Sequence, residues 1–337
     1  VFEPKQKIAL ALLSGGLDSR LASKLIADLG RFLVVGYHFH HPFSGAPAQE
    51  RIRAVKKAAR DIGIPLIIDS DYDAFIEMTK TPAHGRGKGA NPCRDCRIFV
   101  LRRAKRILSS MNGHFLISGE VLGQRPMSQV KNSLNLIEKQ AEVRGVLLRP
   151  LSGKLLPPTL PETEGWIARD ELLDFVGRNR KRQFALAEKL GIKDYPTPAG
   201  GCLLTEKAYS ARYYDLLKDA PDFGEIDMES LKFGRHFRLE SGIKLIVARD
   251  EAECNLILER LSGTFWIATT VDIPGPFAAL DREPTEQEIM LVGGIVAGYS
   301  KAREFAEIAI ELTSPDGAKV RKTVIPLDKR DFVKFML

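Results

Sequence analysis

Three of the four cysteines in this chain sit in contexts suited to thiol chemistry. Cys93 and Cys96 form a C-x-x-C inside Asn91-Pro92-Cys93-Arg94-Asp95-Cys96, at the start of a basic amphipathic stretch. Cys202 lies far downstream in Ala199-Gly200-Gly201-Cys202-Leu203-Leu204-Thr205, where glycines let the backbone approach something bulky. Thiolates are nucleophiles and soft metal ligands. Spacing alone therefore leaves zinc, an iron–sulfur cluster and a redox pair open, although a structural zinc ion wants four ligands. A helix start at Cys93, with Arg94 and Arg97 beside it, is expected to lower the thiol pKa values. Cys254 stands alone in a predicted helix over residues 249–260 and is expected to be a small buried hydrophobe.

A second group of residues suits anions. Ser14-Gly15-Gly16-Leu17-Asp18-Ser19 directly follows an apolar run. Its glycines admit a close anion, and the N–H groups of the loop and of the following helix start point at it. Ser14 and Ser19 can donate hydroxyls, and Asp18 can orient Mg2+ or the N-terminal amides. No Lys follows the glycines, so this is not a Walker A loop, and it is not G-x-G-x-x-G either. His38-Phe39-His40-His41 could be read as a metal cluster, but no carboxylate stands at suitable spacing.

These residues need a frame. Apolar runs at 7–13, 32–38, 65–68, 115–118 and 145–148 alternate with helical patterns at 18–29, 48–62 and 93–108. That alternation predicts an α/β fold: an open parallel sheet with helices on both faces. Ligands of such sheets lie at the carboxyl ends of the strands. Prolines 150, 157, 158 and 161 mark a break. Helices are expected at 169–177, 179–190 and 206–217, with a loop over 195–201. A third region carries strands at 244–247 and 265–270, a helix at 286–299, and a hairpin of 308–312 with 319–325 through Ser314-Pro315-Asp316-Gly317. The expected domains are 1–160, a small helical segment 161–225 holding the third cysteine, and a C-terminal α+β domain 226–337.

The chain has 337 residues, 44% of them hydrophobic and 28% charged, which allows a core and excludes global disorder. No run is apolar enough for a membrane helix. Val1-Phe2-Glu3-Pro4 lacks signal-peptide features, so a cytoplasmic location is expected. Net charge is +7, and residues 80–106 hold nine Lys and Arg against one acid, Asp95. A polyanion is therefore expected along Lys80, Arg86, Lys88, Arg94, Arg97, Arg102 and Arg103.

The string from Ser14 to Ser19 resembles the SGGxDS loop of the PP-loop ATP pyrophosphatase superfamily (adenine nucleotide alpha hydrolase-like), whose members cleave ATP between the α and β phosphates. The resemblance implies ATP and Mg2+ at Ser14, Gly15, Gly16, Asp18 and Ser19, with adenine against the backbone of Tyr37 and His38. That loop followed by a C-x-x-C and a distant Cys resembles the tRNA thiolases, 2-thiouridine synthases among them. Some thiolases hold a 4Fe-4S cluster on three cysteines with one iron open. The implied catalytic set is Cys93, Cys96 and Cys202 with Asp18, and the same three thiols as cluster ligands. The competing scheme is a persulfide on Cys202 resolved by Cys96 or Cys93.

Ser118-Gly119-Glu120-Val121-Leu122-Gly123-Gln124 resembles the G-E-S-L-G-Q element of 4-thiouridine synthases, with Val121 in place of Ser. It adds Gly119 and Glu120 to the nucleotide site and turns Gln124, Arg125 and Gln129 toward uridine. Residues 160–217 resemble a thiouridylase-like bacterial family through Gly177-Arg178-Asn179-Arg180-Lys181 and the stretch from Tyr195 to Thr205. Gly275-Pro276-Phe277, Tyr299-Ser300-Lys301-Ala302-Arg303 and Val320-Arg321-Lys322 resemble the RNA-binding domain of NFACT-type proteins. Together these imply an ATP-dependent tRNA sulfurtransferase. Its partners would be tRNA and a sulfur donor, either free sulfide or a persulfide carrier, with a homodimer left open. The rivals are a small-molecule PP-loop ligase or amidotransferase and a non-catalytic RNA-binding protein.

Overall fold

The computed structural model describes residues 6–45, 48–195 and 201–337, which separate into two compact units, 1–205 and 206–337. In the first unit β1 (Lys7–Leu12), β2 (Phe32–His40), β3 (Leu66–Ser70), β4 (Phe115–Ser118) and β5 (Leu147–Leu148) form one sheet in the order β3-β2-β1-β4-β5. Every pairing is parallel, with Ala9 opposite Val34 on one side and Phe115 on the other. Strands covered on both faces must be apolar throughout, and Ala9 to Leu12 are all buried.

The helices are α1 (Leu17–Ala27), α2 (Ala48–Ile62), α3 (Tyr72–Lys80), α4 (Cys93–Ser110), α5 (Lys131–Gln140), α6 (Leu160–Thr163) and α7 (Lys181–Lys189); α1, α2, α4 and α7 fall where the sequence predicts them, and α3, α5 and α6 are additional. Ala9 and Ala11 point into a cluster with Leu17, Leu21, Ile26 and Ala187, from α1 and α7. Leu10 and Leu12 alternate to the other side. There α4 packs on β1 and β4 without joining that cluster. The strand order reverses between β1 and β4, so the crevice where ligands gather in such sheets lies between the ends of these two strands.

Residues 169–177 do not form the expected helix. Only a short 3-10 turn at Arg169–Glu171 appears. The N–H groups of Leu173 and Phe175 instead donate to the carbonyls of Pro150 and Leu151, at 2.8 Å each, and this pulls the apolar side chains inward. Tertiary hydrogen bonds outcompete helical ones here.

The second unit opens with α8 (Lys207–Asp219) and α9 (Glu225–Ser230). It continues with β6 (Arg235–Arg238), β7 (Lys244–Val247), α10 (Glu251–Leu261), β8 (Trp266–Thr270), β9 (Ala278–Leu280), α11 (Glu286–Gly298), β10 (Ile308–Thr313), β11 (Lys319–Val324) and α12 (Lys329–Phe332). Its sheet runs β11-β10-β8-β9-β7-β6 and is antiparallel throughout. The hairpin of β10 and β11 is as expected, with Gly317 at φ +91° in the turn. β6 and β9 were not legible as strands, the first carrying one apolar residue among basic ones and the second being only three residues long. Cys254 is half-buried against the apolar cluster of this unit and accepts the Phe277 N–H at 3.5 Å.

Candidate nucleotide and thiol site

The loop after β1 is built for an anion. Gly15 takes φ +81°, a conformation that side chains other than glycine's disfavour. The Ser19 hydroxyl donates to the Gly16 carbonyl at 2.9 Å and accepts the Ser14 N–H at 3.2 Å, which rounds the loop. α1 has no side-chain cap at its Gly16 start, so its first N–H groups remain available. Gly119, ending β4, lies against this loop: a Cβ there would sit 2.5 Å from the Asp18 carbonyl and the Ser19 nitrogen. Its glycine is required by packing, since it lets β4 close onto the helix start.

Asp18 carries a load the sequence does not announce. Its carboxylate accepts Gln124 Nε2 at 2.8 Å and Arg180 Nη2 at 3.2 Å to each oxygen. Gln183, on α7, donates to Gln124 Oε1 at 3.2 Å. Arg20 is not available to an anion in the loop: it is buried, its Nε donates to the Gly15 carbonyl at 3.0 Å, and its Nη1 pairs with Asp61 at 3.5 Å.

At the end of β2 the Tyr37 carbonyl accepts the Leu13 N–H at 2.8 Å, and its hydroxyl donates to Asp69 at 2.7 Å. The His38 ring is buried, with Nδ1 3.0 Å from the Leu13 carbonyl and Nε2 without a partner. Burial, then the neighbouring Arg51 guanidinium, pushes His38 down to about 4, so the imidazole is neutral at physiological pH. Among the described residues no three His, Cys, Asp or Glu side chains are placed to hold a single metal ion, the histidines at 38, 40 and 41 included.

Glu120 lies at the centre of a buried ion network. Arg97 Nε donates to it at 2.8 Å and Arg149 Nε at 2.9 Å; Arg97 also reaches the Ser118 hydroxyl at 2.7 Å, and Arg149 reaches Glu138. Burial raises the Glu120 carboxyl, but the two guanidiniums outweigh it and hold the group at about 2. This network ties the first turn of α4, which carries the C-x-x-C, to the end of β4.

Cys93 and Cys96 are one turn apart on the same side of α4. Cys202 is delivered from outside the sheet. It pairs with Ser44 in an isolated antiparallel bridge, and the Leu203 N–H donates to the Phe43 carbonyl at 3.0 Å. The Leu204 carbonyl accepts the Ala90 N–H at 2.9 Å, closing the strap onto the segment before Cys93. Of the expected loop, residues 196–200 lie outside the described residues. The thiols feel one another: burial first, then Cys202 and Cys93, push Cys96 up to about 12. Burial foremost, with Cys93, pushes Cys202 up to about 11. Burial also raises Cys93, against Arg125.

The expectation of lowered thiol pKa values is therefore reversed. The helix start is outweighed by desolvation and by mutual repulsion, and Arg97 is committed to Glu120. Such thiols stay protonated until something positively charged or oxidising meets them. Three half-buried thiols, with no fourth ligand beside them among the described residues, suit as a donor set an iron–sulfur cluster held by three thiolates. Arg51, on α2, is the cation sequence reasoning missed. It acts on both Cys96 and Cys202 and donates to the Ser44 hydroxyl at 2.5 Å. Nothing in its amphipathic helix distinguishes it from a surface charge.

The basic run divides. Lys80 pairs with Glu77 at 2.6 Å, Arg86 donates to the Thr79 and Lys80 carbonyls, and Arg102 donates to the Gln140 carbonyl. Arg103 bridges Asp69 and Asp71 at 2.8 and 2.5 Å. Arg97 is internal. Lys88 is exposed, and Arg94 Nε is buried without an acceptor. Asp95, the one acid here, accepts the His84 N–H at 3.0 Å and lies 2.8 Å from its Nδ1, bracing the loop before α4.

A parallel sheet of this order, with a Ser-Gly-Gly loop leaving β1 at the switch point, is the arrangement in which α/β domains bind ligands at their strand ends. Residues 5–154 match the family described as thiamine biosynthesis protein (ThiI), and residues 234–336 match the NFACT protein RNA binding domain. An uncharacterised protein of Methanocaldococcus jannaschii is 26% identical over 155 residues, 44% of this chain and 50% of that protein. A tRNA-specific 2-thiouridylase MnmA of Syntrophotalea carbinolica is 30% identical over 123 residues, 34% of this chain and 35% of that one. The chain thus spans half or less of the length of these relatives.

Among solved structures, a 4-thiouridine synthetase in complex with RNA and ATP is similar at 20% identity and TM-score 0.42, over 67% of this chain and 52% of that one. The U34-tRNA thiolase NcsA of Methanococcus maripaludis with its 4Fe-4S cluster is similar at 18% identity and TM-score 0.34, over 69% and 72%. No helix among the described residues is long and apolar enough to cross a membrane.

Proposed function

We propose that this chain is an ATP-dependent tRNA sulfurtransferase that replaces a uridine carbonyl oxygen with sulfur. The observation that carries this reading is that Cys202, distant in sequence, comes within electrostatic reach of Cys93 and Cys96, in a chain that also carries the Ser14–Ser19 loop. A small-molecule ligase has no use for three such thiols.

Binding comes first. The loop N–H groups, Ser14, Ser19 and the start of α1 hold the phosphates, Asp18 is the residue to meet Mg2+, and the backbone at Tyr37 and His38 borders adenine. Gly119 and Glu120 shape the floor, Gly119 by admitting the loop and Glu120 by fixing Arg97 and with it the first turn of α4. The uridine oxygen then attacks the α-phosphorus. The new O–P bond forms as the bond to the bridging oxygen breaks and pyrophosphate leaves. A sulfur nucleophile adds to the ring carbon, and the C–O bond breaks with AMP as leaving group. Loop amides stabilise the pentacoordinate phosphorus, and the base must be presented within about 3–3.5 Å of the sulfur.

Cys93, Cys96 and Cys202 would hold a 4Fe-4S cluster, which when bound supplies an open iron to carry hydrosulfide. The alternative is a Cys202 persulfide whose outer sulfur is transferred while Cys96 or Cys93 closes a disulfide, to be reduced afterwards. Sulfur comes from free sulfide or a persulfide carrier. Lys88 and Arg94 face tRNA phosphates, the neighbouring basic residues being largely engaged within the protein. The three segments divide the work: 1–160 activates, 161–225 delivers the third thiol, and 226–337 contacts RNA. A cytoplasmic location completes the reading.

The test is anaerobic purification with iron and acid-labile sulfide counted per chain, followed by incubation with tRNA, ATP and sulfide and nucleoside mass spectrometry. Thiouridine with about four iron atoms per chain is expected. Thiouridine without iron selects the persulfide route. Neither thiouridine nor tRNA-dependent pyrophosphate release overturns the reading.

A further inference from the structure

A phosphate loop without a lysine leaves a multiply charged anion short of cations, and four observations bear on what fills the gap. The nearest loop guanidinium, Arg20, is spent on the Gly15 carbonyl and Asp61. Arg180 reaches Asp18 from 162 residues along the chain, through one nitrogen that straddles both carboxylate oxygens at 3.2 Å. This is not the parallel two-nitrogen fork of an optimised pair, and Arg180 Nε is buried with no acceptor. Beside it, buried Gln183 has its Oε1 without a donor while its amide nitrogen leans on Gln124, which in turn holds Asp18.

The cluster is therefore polar, partly buried and incompletely paired, at the mouth of an anion cradle. Arg180 Nε is a buried unpaired donor, which is costly, and an anion oxygen would satisfy it; Gln183 Oε1 is an acceptor and needs a donor instead. The ring of Phe184, 5.7 Å from the Arg180 guanidinium carbon, keeps the cation positioned without consuming an N–H.

We infer that Arg180 is a ligand of the β- and γ-phosphates of the nucleoside triphosphate, exchanging its pair with Asp18 for them. The exchange frees the Asp18 carboxylate while the phosphates are gripped by a fork-shaped donor, as planar guanidinium geometry suits. Gln124 and Gln183 re-pair as the carboxylate is released. This rests on the nucleotide reading above and adds a phosphate ligand to it, from a segment outside the loop.

The test is calorimetric titration of the full chain with AMP, inorganic pyrophosphate and α,β-methylene-ATP. Arg180→Gln is expected to weaken pyrophosphate and α,β-methylene-ATP by roughly tenfold or more, equivalent to about 1.4 kcal/mol, with AMP changed less than about twofold. Arg180→Lys keeps the charge without the fork and should fall between. A merely structural latch would weaken AMP and the triphosphate analogue alike, and that result, or no change in either, overturns the inference while leaving the nucleotide reading intact. If Arg180→Gln alone fails to fold because Asp18 loses its cation, the same ratio is compared between Asp18→Asn and Asp18→Asn with Arg180→Gln, and an unchanged ratio again overturns it. Wild-type chain that binds none of the three ligands removes both the inference and the reading beneath it.

Discussion

The two units handle charge in opposite ways. In the first, parallel strands end together, and buried ions collect there: Glu120 with Arg97 and Arg149, Asp18 with Arg180, and Arg51 among the thiols. Several of these groups retain unused donors. In the second, the antiparallel sheet spreads its strand ends over both edges. Its buried ions tie a helix to the sheet, as Asp215 of α8 does by accepting Arg238 at 2.9 and 2.7 Å. The basic residues of β11 are answered locally, Lys319 and Arg321 by Glu311 and Lys322 by Glu286. Unpartnered buried atoms occur in both units, at Arg51, Arg149 and Arg180 in the first and at Arg212, His236 and Lys244 in the second, so what sets the first apart is that its buried ions lie at the strand ends.

Thiol replacement should separate the units most. Cys93→Ala, Cys96→Ala or Cys202→Ala is expected to cost roughly a hundredfold or more in thiouridine formed per minute, with α,β-methylene-ATP still bound. Cys254→Ala, in the second unit, should stay within about twofold. Equal losses at Cys202 and Cys254 would erase the distinction.

Glycine replacement comes next. Gly119→Ala puts a Cβ 2.5 Å from backbone of the phosphate loop, and Gly298→Ala puts one 2.3 Å from the Leu327 carbonyl. Each should destabilise its own unit by about 1–3 kcal/mol in a denaturant melt. Only Gly119→Ala should also abolish nucleotide binding.

Acid and alkali should probe different units. Glu120 is held at about 2, below its ordinary value, so its contribution is complete above about pH 4.5 and is lost as pH falls toward 2. It is on the order of 3 kcal/mol, and Glu120→Gln should flatten the acid limb of the first unit's stability curve. Lys244 is pushed down to about 8, foremost by burial. Its charge therefore costs the second unit stability in full below about pH 8, and the cost disappears toward pH 10.5. Lys244→Met should remove that alkaline rise.

The smallest expected effects concern RNA. Lys88→Ala and Arg94→Ala should each reduce the salt slope of tRNA binding by somewhat under one, while Arg102→Ala and Arg103→Ala, already engaged, change it less. A larger change from Arg321→Ala would move the main RNA contact to the second unit.

The strands and helices of the parallel sheet were legible because each is a run whose burial is set by its own neighbours, as in Lys7–Leu12 or Cys93–Ser110. β6 and β9 were not: Arg235–Arg238 carries one apolar residue among basic ones, Ala278–Leu280 is only three residues long, and the backbone of 172–175 was claimed by carbonyls 150 and 151. The tight turn after β1 was legible because glycine, serine and aspartate at fixed offsets act through the adjacent backbone. The state of the thiols was not. Their amino-acid types and spacing announced sulfur chemistry, but proton affinity depends on what surrounds each sulfur.

Composition and local order thus fixed a parallel α/β frame, a tight turn after β1, and three thiols worth watching. Only the folded chain decided that Cys202 joins the other two, that Arg97 turns inward while Arg51 and Arg180 reach the site, and that the thiols are held protonated. The reason is range. Backbone propensity and hydrophobic period act over a few residues, whereas desolvation and ion pairing depend on which distant segments arrive at the same strand ends.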